Sequence, residues 1–171
     1  MCRVLIIGCP GSGKSTLARR LAEIANQPLV HLDRLYWSAG WIEPDREVWG
    51  QIVEQQLAKP SWIMDGNYGN TLARRLQVAD EVILLDLPVL QCLWRATRRM
   101  VSNWGTIRTD MAEGCPERFD LSFMIYILHF RRNQLPRNIR LLSEFHGKVT
   151  ILRSGQEIEA FINSRLSASS R

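Results

Sequence analysis

A glycine-rich segment near the N-terminus has the residue types and spacing needed to bind a phosphate group. Residues 8–15 read Gly-Cys-Pro-Gly-Ser-Gly-Lys-Ser and match G-x-x-x-x-G-K-[ST] at every position. Glycines let successive backbone N–H groups point at a phosphate, Lys14 can reach the outer phosphates, and the Ser15 hydroxyl can ligate Mg²⁺. The pattern therefore predicts ATP and Mg²⁺ as cofactors, with nucleotide contacts from Gly8, Pro10, Gly11, Ser12, Gly13, Lys14, Ser15 and Thr16.

Three aspartates follow apolar runs, at the points where predicted strands end: Asp33, Asp65 and Asp86. In an open parallel sheet, ligands bind at the edge formed by the carboxyl ends of the strands. Three carboxylates at this edge favour a site that holds a cation. For any single one of the three, a structural role in ending the strand is an equally good explanation.

The arginines are unevenly distributed along the chain. Residues 95–140 contain nine arginines, no lysine and four acidic residues, which accounts for the whole net charge of +5. An arginine-rich, GC-biased genome would explain the excess of arginine over lysine, but not this clustering. In the helix predicted from Val89, the residues Leu90, Leu93, Trp94, Thr97 and Val101 form one stripe, and Arg95 and Arg99 share the opposite side. Arginine forks bind phosphate in a bidentate way, so the cluster favours a phosphate-bearing ligand.

Composition excludes several classes of protein. The 171 residues are 46% hydrophobic and 23% charged, as expected of one globular domain (1–166) followed by a short disordered tail (167–171). The chain contains neither a membrane-spanning apolar run nor a signal-peptide pattern, and its four cysteines are widely spaced, so we expect a cytoplasmic protein with reduced thiols. Asn-Lys-x-Asp and a strand-ending Asp-Glu are absent, which argues against GTPases and motor-type ATPases.

The order of predicted elements agrees with this chemistry. Apolar runs at residues 4–7, 28–32, 61–64, 81–85 and 148–152 alternate with helical patterns, which is typical of βαβ units on a parallel sheet. A long helix is predicted over residues 119–145, with an interruption at Pro136, and Ser154 with Glu157 forms a capping box for the last helix.

Up to about residue 165 the chain resembles the small P-loop kinases related to adenylate kinase and shikimate kinase. Within them it is most similar to the bacterial DNA topology modulation protein family. The resemblance is carried by the phosphate loop and by further residues: His31-Leu32-Asp33, Tyr36-Trp37, Trp41, residues 62–68, Arg75-Leu76, Asp80, residues 85–88, Arg95, Arg99, Arg108, Asp110-Met111 and residues 114–117. It implies a three-layer α/β P-loop NTPase fold with five parallel strands in the order 2-3-1-4-5, helices on both faces, and an arginine-rich lid at about 102–118.

The resemblance also implies roles for individual residues. Arg95 and Arg99 would reach the transferring phosphoryl group, and Arg108 would close from the lid. Asp33 is similar to the acidic residue that touches the acceptor hydroxyl in shikimate-kinase-like enzymes. Asp65 is similar to the adenylate kinase carboxylate that holds a Mg²⁺-bound water. Where adenylate kinase has its monophosphate-binding arginine, this chain has Gly69, so Arg74 or Arg75 would have to serve, or the acceptor has no such phosphate.

The expected function is transfer of the ATP γ-phosphate to a nucleoside, nucleotide or other small acceptor, with a sugar or shikimate-like acceptor as one form. The expected catalytic residues are Lys14, Asp33, Arg95, Arg99 and Arg108, and the expected metal ligands are Ser15, Asp65 and Asp86. The alternative is a nucleic-acid-associated regulator that binds ATP only as a switch. Structural roles are preferred for the remaining candidates: His31, His129, His146, Trp37, Trp41, Trp49, and the solvated arginines 98, 131, 132, 137 and 140.

Overall fold

Five parallel strands form a single sheet in the computed structural model, which describes residues 2–169. The strands are β1 (Arg3–Gly8), β2 (Leu29–His31), β3 (Trp62–Asp65), β4 (Glu81–Leu85) and β5 (Lys148–Leu152). Their order is β2-β3-β1-β4-β5, and each neighbouring pair is parallel, which confirms the predicted sheet. All five carboxyl ends therefore meet at one edge, where the phosphate loop begins.

The central strands are almost uniformly apolar because helices cover the sheet. Leu5 pairs with Met64 on one side and with Val82 on the other, and all three side chains are fully buried. The edge strand β5 is less protected, with Val149 and Ile151 exposed. The central strands thus supply a rigid base for the loops at their carboxyl ends.

Eight helices surround the sheet in the described residues: α1 (Lys14–Ala25), α2 (Leu32–Tyr36), α3 (Arg46–Leu57), α4 (Gly69–Leu76), α5 (Val89–Ser102), α6 (Leu121–Asn133), α7 (Leu135–Ser143) and α8 (Gly155–Ser169). The helix predicted over 119–145 is two helices, because Pro136 lies in the first turn of α7, where a missing N–H is tolerated. Asp33 lies in the first turn of α2, since β2 ends at His31, one residue before the end of the apolar run, and the helix begins at Leu32.

The C-terminus differs in part from the expected disordered tail. Helix α8 continues to Ser169, so residues 167–169 are helical. Residues 170 and 171 of the predicted tail lie outside the described residues.

Helix α5 turns its apolar stripe outward. Leu90, Trp94 and Val101 are exposed, whereas the buried residues of this helix include Cys92 and Ala96. The phosphate loop packs so closely on α5 that only small side chains fit beneath it, because an added Cβ at Gly11 would lie 2.2 Å from the Cys92 carbonyl oxygen. As a result the face of α5 that carries Arg95 and Arg99 is turned toward the cavity at the carboxyl edge.

The segment between α5 and α6 is an irregular lid (residues 103–118). Its two ends are joined because Gly105 N–H donates to the Glu117 carbonyl (3.0 Å) and Glu117 N–H donates to the Thr106 carbonyl (2.8 Å). Its tip packs on the loop after α2, which we call the Trp loop (residues 37–42). There Gly40 N–H donates to the Gly114 carbonyl at 2.9 Å. The lid is therefore in contact with the opposite wall of the cavity.

Candidate active site

A cavity of about 950 Å³ opens at the carboxyl edge of the sheet, between the phosphate loop, the Trp loop and the lid. Most of the predicted catalytic and nucleotide-binding residues line it together: Pro10, Gly11, Ser12, Gly13, Lys14, Ser15, Thr16, Asp33, Arg95, Arg99 and Arg108. Gly8 lies beneath them at the end of β1, where its backbone is held by Asn67. Residues separated by almost one hundred positions are thus brought to one site.

The phosphate loop has the backbone conformation that an anion cradle requires. Gly11 and Gly13 have φ values of 81° and 98°, in the left-handed region that favours glycine. The Ser12 hydroxyl is buried and has no hydrogen-bond partner in the described structure. Lys14 Nζ donates to the Cys9 carbonyl at 3.0 Å. Burial lowers the pKa of Lys14, although the negative charges of Asp33 and Asp65 act against this effect. These groups fit a bound polyphosphate, which would supply the missing partners.

Asp65 lies directly under the phosphate loop. Ser15 Oγ donates to Asp65 Oδ2 at 2.7 Å, and His31 Nδ1 lies 2.5 Å from Oδ1. Burial acts against protonation of His31, but the bond to Asp65 and the charges of Asp65, Asp110 and Asp33 together outweigh it and raise the pKa of the imidazole. The described residues contain no group of three or more His, Cys, Asp or Glu side chains that could hold a metal alone. Ser15 and Asp65 are hard oxygen donors that fit a Mg²⁺ ion completed by phosphate oxygens and water.

Asp86 is not brought to this cavity. Its carboxylate lies 3.7 Å from Arg131 and 3.8 Å from Arg153. Asp86 therefore lies with arginines of α6 and of the segment after β5, because its backbone N–H bonds to the Leu152 carbonyl at the end of β5. Asp33 and Asp65 remain near Lys14, which both influence electrostatically.

Asp33 faces the phosphate loop from α2. Tyr68 Oη donates to Asp33 Oδ1 at 2.7 Å and fixes the orientation of the carboxylate. Burial raises the pKa of Asp33, and the opposing effects of the Tyr68 hydrogen bond and the Lys14 charge do not cancel it. Burial and the charge of Asp33 in turn raise the pKa of Tyr68, which keeps the phenol protonated as a donor. The arrangement suits a carboxylate that accepts a proton from a neighbouring hydroxyl group.

A buried arginine, Arg75, holds the loop that carries Tyr68. Its guanidinium donates to the carbonyls of Gly66 (3.1 Å), Asn67 and Tyr68 (3.0 Å). Tyr68 has a φ of 34°, which is costly for a residue with a Cβ and persists where the surroundings enforce it. The sequence motif contained these residues, but nothing in local spacing shows that an arginine binds three successive carbonyls.

Arg75 is therefore not available to an acceptor. Arg74 is also directed elsewhere, since it forms an exposed bidentate ion pair with Glu54 at 2.6 and 2.9 Å. Neither arginine lines the cavity. The hypothesis that one of them replaces the monophosphate-binding arginine of adenylate kinase is wrong.

Five of the nine arginines in residues 95–140 line the cavity: Arg95, Arg99, Arg108, Arg118 and Arg137. Arg118 stacks on the Trp41 ring at 5.2 Å, and Arg137 donates to the Gly69 carbonyl at 3.4 Å. Arg137 is exposed, as the sequence indicates, but it also borders the cavity beside Gly69. The clustering of arginine along the chain thus corresponds in large part to one cavity.

The tryptophans divide between core and cavity. Trp49 is buried and packs on Tyr36 and Tyr68, as expected of a core residue. Trp37 and Trp41 are half-buried and line the cavity, with ring centroids 5.3 Å apart. Aromatic faces in a cavity are suited to packing against a ring or an apolar face of a ligand.

Comparison with known proteins finds kinases that share this fold. No family model matches the chain. An adenylate kinase from Synechococcus sp. (strain JA-2-3B'a(2-13)) is 33% identical over 93 residues, which are 43% of this chain and 48% of that enzyme. The chain therefore spans about half the length of this curated relative in the alignment.

Solved structures extend the likeness to nearly the whole chain. A gluconokinase from Sinorhizobium meliloti 1021 has a TM-score of 0.56 at 16% identity and covers 99% of this chain and 92% of its own. A shikimate kinase from Acinetobacter baumannii, in complex with shikimate, has a TM-score of 0.59 at 17% identity and covers 98% and 92%. The fold is thus that of P-loop kinases, and the resemblance to the DNA topology modulation protein family stays a prediction.

Proposed function

We propose that this chain is an ATP-dependent phosphotransferase that acts on the hydroxyl group of a small acceptor. The observation that carries the proposal is the placement of Asp33 and the phosphate loop in one cavity, with the carboxylate bound to Tyr68 Oη at 2.7 Å. A carboxylate with a raised pKa can take the acceptor's proton, whereas it would repel an acceptor that is already an anion at the attacking oxygen.

The predicted catalytic residues then each have a part in the transfer. Asp33 orients the acceptor hydroxyl and takes its proton as the new P–O bond forms and the bond to the β–γ bridging oxygen breaks. Lys14 and the backbone of the phosphate loop hold the charge of the phosphates. Mg²⁺, when bound near Ser15 and Asp65, would neutralise phosphate charge. The guanidinium groups of Arg95, Arg99 and Arg108 stabilise the charge on the transferring group and exclude water.

The cavity arginines beside Trp41 and Gly69 indicate which class of acceptor would fit. Arg20 and Arg99 each have one acidic partner and Arg108 has two, whereas the described structure gives none to Arg95, which is assigned above to the transferring group, or to Arg118 and Arg137. The latter two cations lie on the side of Trp41 and Gly69. We infer an acceptor that combines a hydroxyl group with a separate anionic group and is small enough to share the cavity with ATP.

The arrangement of arginines favours this function over nucleic-acid binding. A nucleic-acid surface needs exposed cations along a continuous face, whereas five of the nine clustered arginines line a concave cavity. Affinity for DNA that falls steeply between about 50 and 200 mM salt would instead support the regulator hypothesis.

The first prediction tests the phosphate loop. Lys14→Ala should abolish phosphoryl transfer from ATP, because the ammonium is the charge at the outer phosphates, while the fold stays intact. The measurement is transfer from γ-labelled ATP to a panel of nucleosides, sugars, hydroxy acids and their phosphate esters. Lys59→Ala is the matched control, since Lys59 lies on the exposed surface and hydrogen-bonds only to Gln56. Wild-type turnover in Lys14→Ala would contradict the ATP-site assignment.

A further inference from the structure

Glu117 is a buried carboxylate at the base of the lid. Its side chain is only 6% exposed, and it borders the cavity. Its backbone is held by the hydrogen bonds to Thr106 and Gly105, at 2.8 and 3.0 Å. The position of the residue is therefore set by the backbone, and its charge is presented to the cavity at a fixed place.

Two lid-side arginines converge on this carboxylate. Glu117 Oε2 lies 2.7 Å from Arg108 Nε, and Oε1 lies 3.4 Å from an Arg99 terminal nitrogen. Asp110 adds a second contact to Arg108 at 3.2 Å. Burial and the nearby charge of Arg108 lower the pKa of Arg99, which shows that the two guanidinium groups repel each other. A shared carboxylate between them offsets this repulsion.

The two arginines differ in what their Nε–H groups face. The Nε–H groups of Arg99 and Arg108 are buried and make no hydrogen bond in the described structure, although Glu117 Oε2 is close to the second of them. Buried donors of this kind are costly unless a ligand accepts from them. Glu117 thus holds both arginines electrostatically: it lies against Arg108 Nε, but it meets Arg99 at a terminal nitrogen and leaves Arg99 Nε–H without an acceptor in the described structure.

We propose that Glu117 is a positioning residue that holds Arg99 and Arg108 at the separation needed by the transferring phosphoryl group. The proposal rests on the phosphotransferase function proposed above. Glu117 touches neither substrate in it and acts through the two arginines. A displacement of about 1 Å in a group that stabilises the transition state can cost about 10²-fold in rate, so fixing these side chains matters for turnover.

The experiment is the substitution Glu117→Gln, which keeps the shape of the side chain and removes its charge. We expect kcat to fall by about 10²-fold, while the dissociation constant of ATP, measured by calorimetry, changes by less than about threefold or becomes tighter. The affinity is preserved because the substitution removes a negative charge from a cavity that binds a polyanion. Glu117→Asp, which keeps the charge, should recover part of the loss.

Glu113→Gln is the matched control, since Glu113 is an exposed carboxylate in the same lid. It should behave as the wild type. A double-mutant cycle with Arg108→Ala separates positioning from a general structural role. If Glu117 acts through the arginines, Glu117→Gln should cost far less in the Arg108→Ala background than in the wild type.

Three results would overturn the proposal: wild-type kcat in Glu117→Gln, an equal loss in both backgrounds, or ATP binding weakened as much as kcat. Failure of the proposed function itself has a different signature, because the wild type would then transfer phosphate to no acceptor in the panel. In that case the positioning proposal is rejected together with the proposed function, whereas a wild type that turns over lets the kcat of Glu117→Gln decide on Glu117 alone.

Discussion

At the scale of single residues, Asp33 is buried and is also surrounded by groups that favour its charged form. Burial raises its pKa, yet Tyr68 and Lys14 both favour its charged form. A carboxylate that is ionised but poorly solvated is a better base than one in water. Burying a charged carboxylate costs stability, and side chains that carry such a cost are often found at catalytic sites.

Asp33→Asn should therefore lower kcat by at least about 100-fold with a hydroxyl acceptor, while ATP binding is retained. Wild-type kcat should fall as the pH drops through the pKa of Asp33, which lies above the ordinary carboxyl range. Steady-state kinetics between pH 4.5 and 8 would measure both effects, on the order of 10²-fold across the acid limb. Asp45→Asn is the control, because Asp45 is exposed and its side chain caps nothing.

The same pKa shift fixes the sign of the effect on stability. A carboxyl group with a raised pKa in the folded state favours folding most when it is protonated, and this contribution is lost as the pH rises through the folded-state pKa. Asp33→Asn should thus be no less stable than the wild type at neutral pH, and its relative stability should increase from acidic to neutral pH. A large fall in melting temperature at pH 7 would show that Asp33 is structural.

At the scale of elements, the lid and the Trp loop act as one unit. Gly114 has a φ of 76°, and an added Cβ would lie 2.6 Å from the Ala39 Cβ, in the middle of the contact between them. Trp41 Nε1 also donates to the Pro116 carbonyl at 3.2 Å, and Cys115 Sγ lies 3.2 Å from the Ser38 carbonyl oxygen. The contact therefore combines one main-chain hydrogen bond with two in which a side chain meets a main-chain carbonyl.

Gly114→Val should separate the lid from the Trp loop and lower kcat by about 10²-fold, because Arg108 would lose its place over the cavity. Gly105→Val is a close control. Gly105 also has a positive φ, of 71°, but its Cβ would meet nothing within 4 Å. Both variants incur the backbone cost of a left-handed non-glycine residue, about 1–2 kcal/mol, and only the first creates the clash. Equal kinetics in the two variants would show that the contact has no part in turnover.

The fold was largely predictable because its signals are local. Apolar runs and strand-ending aspartates are read within ten residues, and the phosphate loop within eight. The errors also have local causes, since the apolar pattern around Leu32 does not show that the strand stops at His31 and a helix begins. The contacts of Glu117 and Asp86 could not be predicted, because their partners are not local. Whether Glu117 meets Arg99, or Asp86 meets Arg153, depends on distant parts of the chain that only the fold brings together.

At the scale of the whole molecule, ligand binding should be visible as stability. A ligand at 100 times its dissociation constant adds about 2.7 kcal/mol to the free energy of unfolding, which for a chain of this size corresponds to about 5–10 °C in melting temperature. We expect a shift of that size with saturating Mg²⁺ and ATP. Lys14→Ala should show little or no shift under the same conditions. A shift that persists in Lys14→Ala would mean that ATP binds elsewhere.

The helices can also be compared with the length that a membrane span requires. Among the described residues, none of the helices has the length and apolar character needed to cross a bilayer.

The hydrogen bonds from Gly40 to Gly114 and from Trp41 to Pro116 join the lid to the Trp loop, and both segments line the cavity. In the proposed reaction, ADP and the phosphorylated acceptor would both leave this cavity. Because one set of bonds joins the two segments, the opening that uncovers one product also uncovers the other. Release would then follow no compulsory order, and the rate of one movement would set the departure of both products.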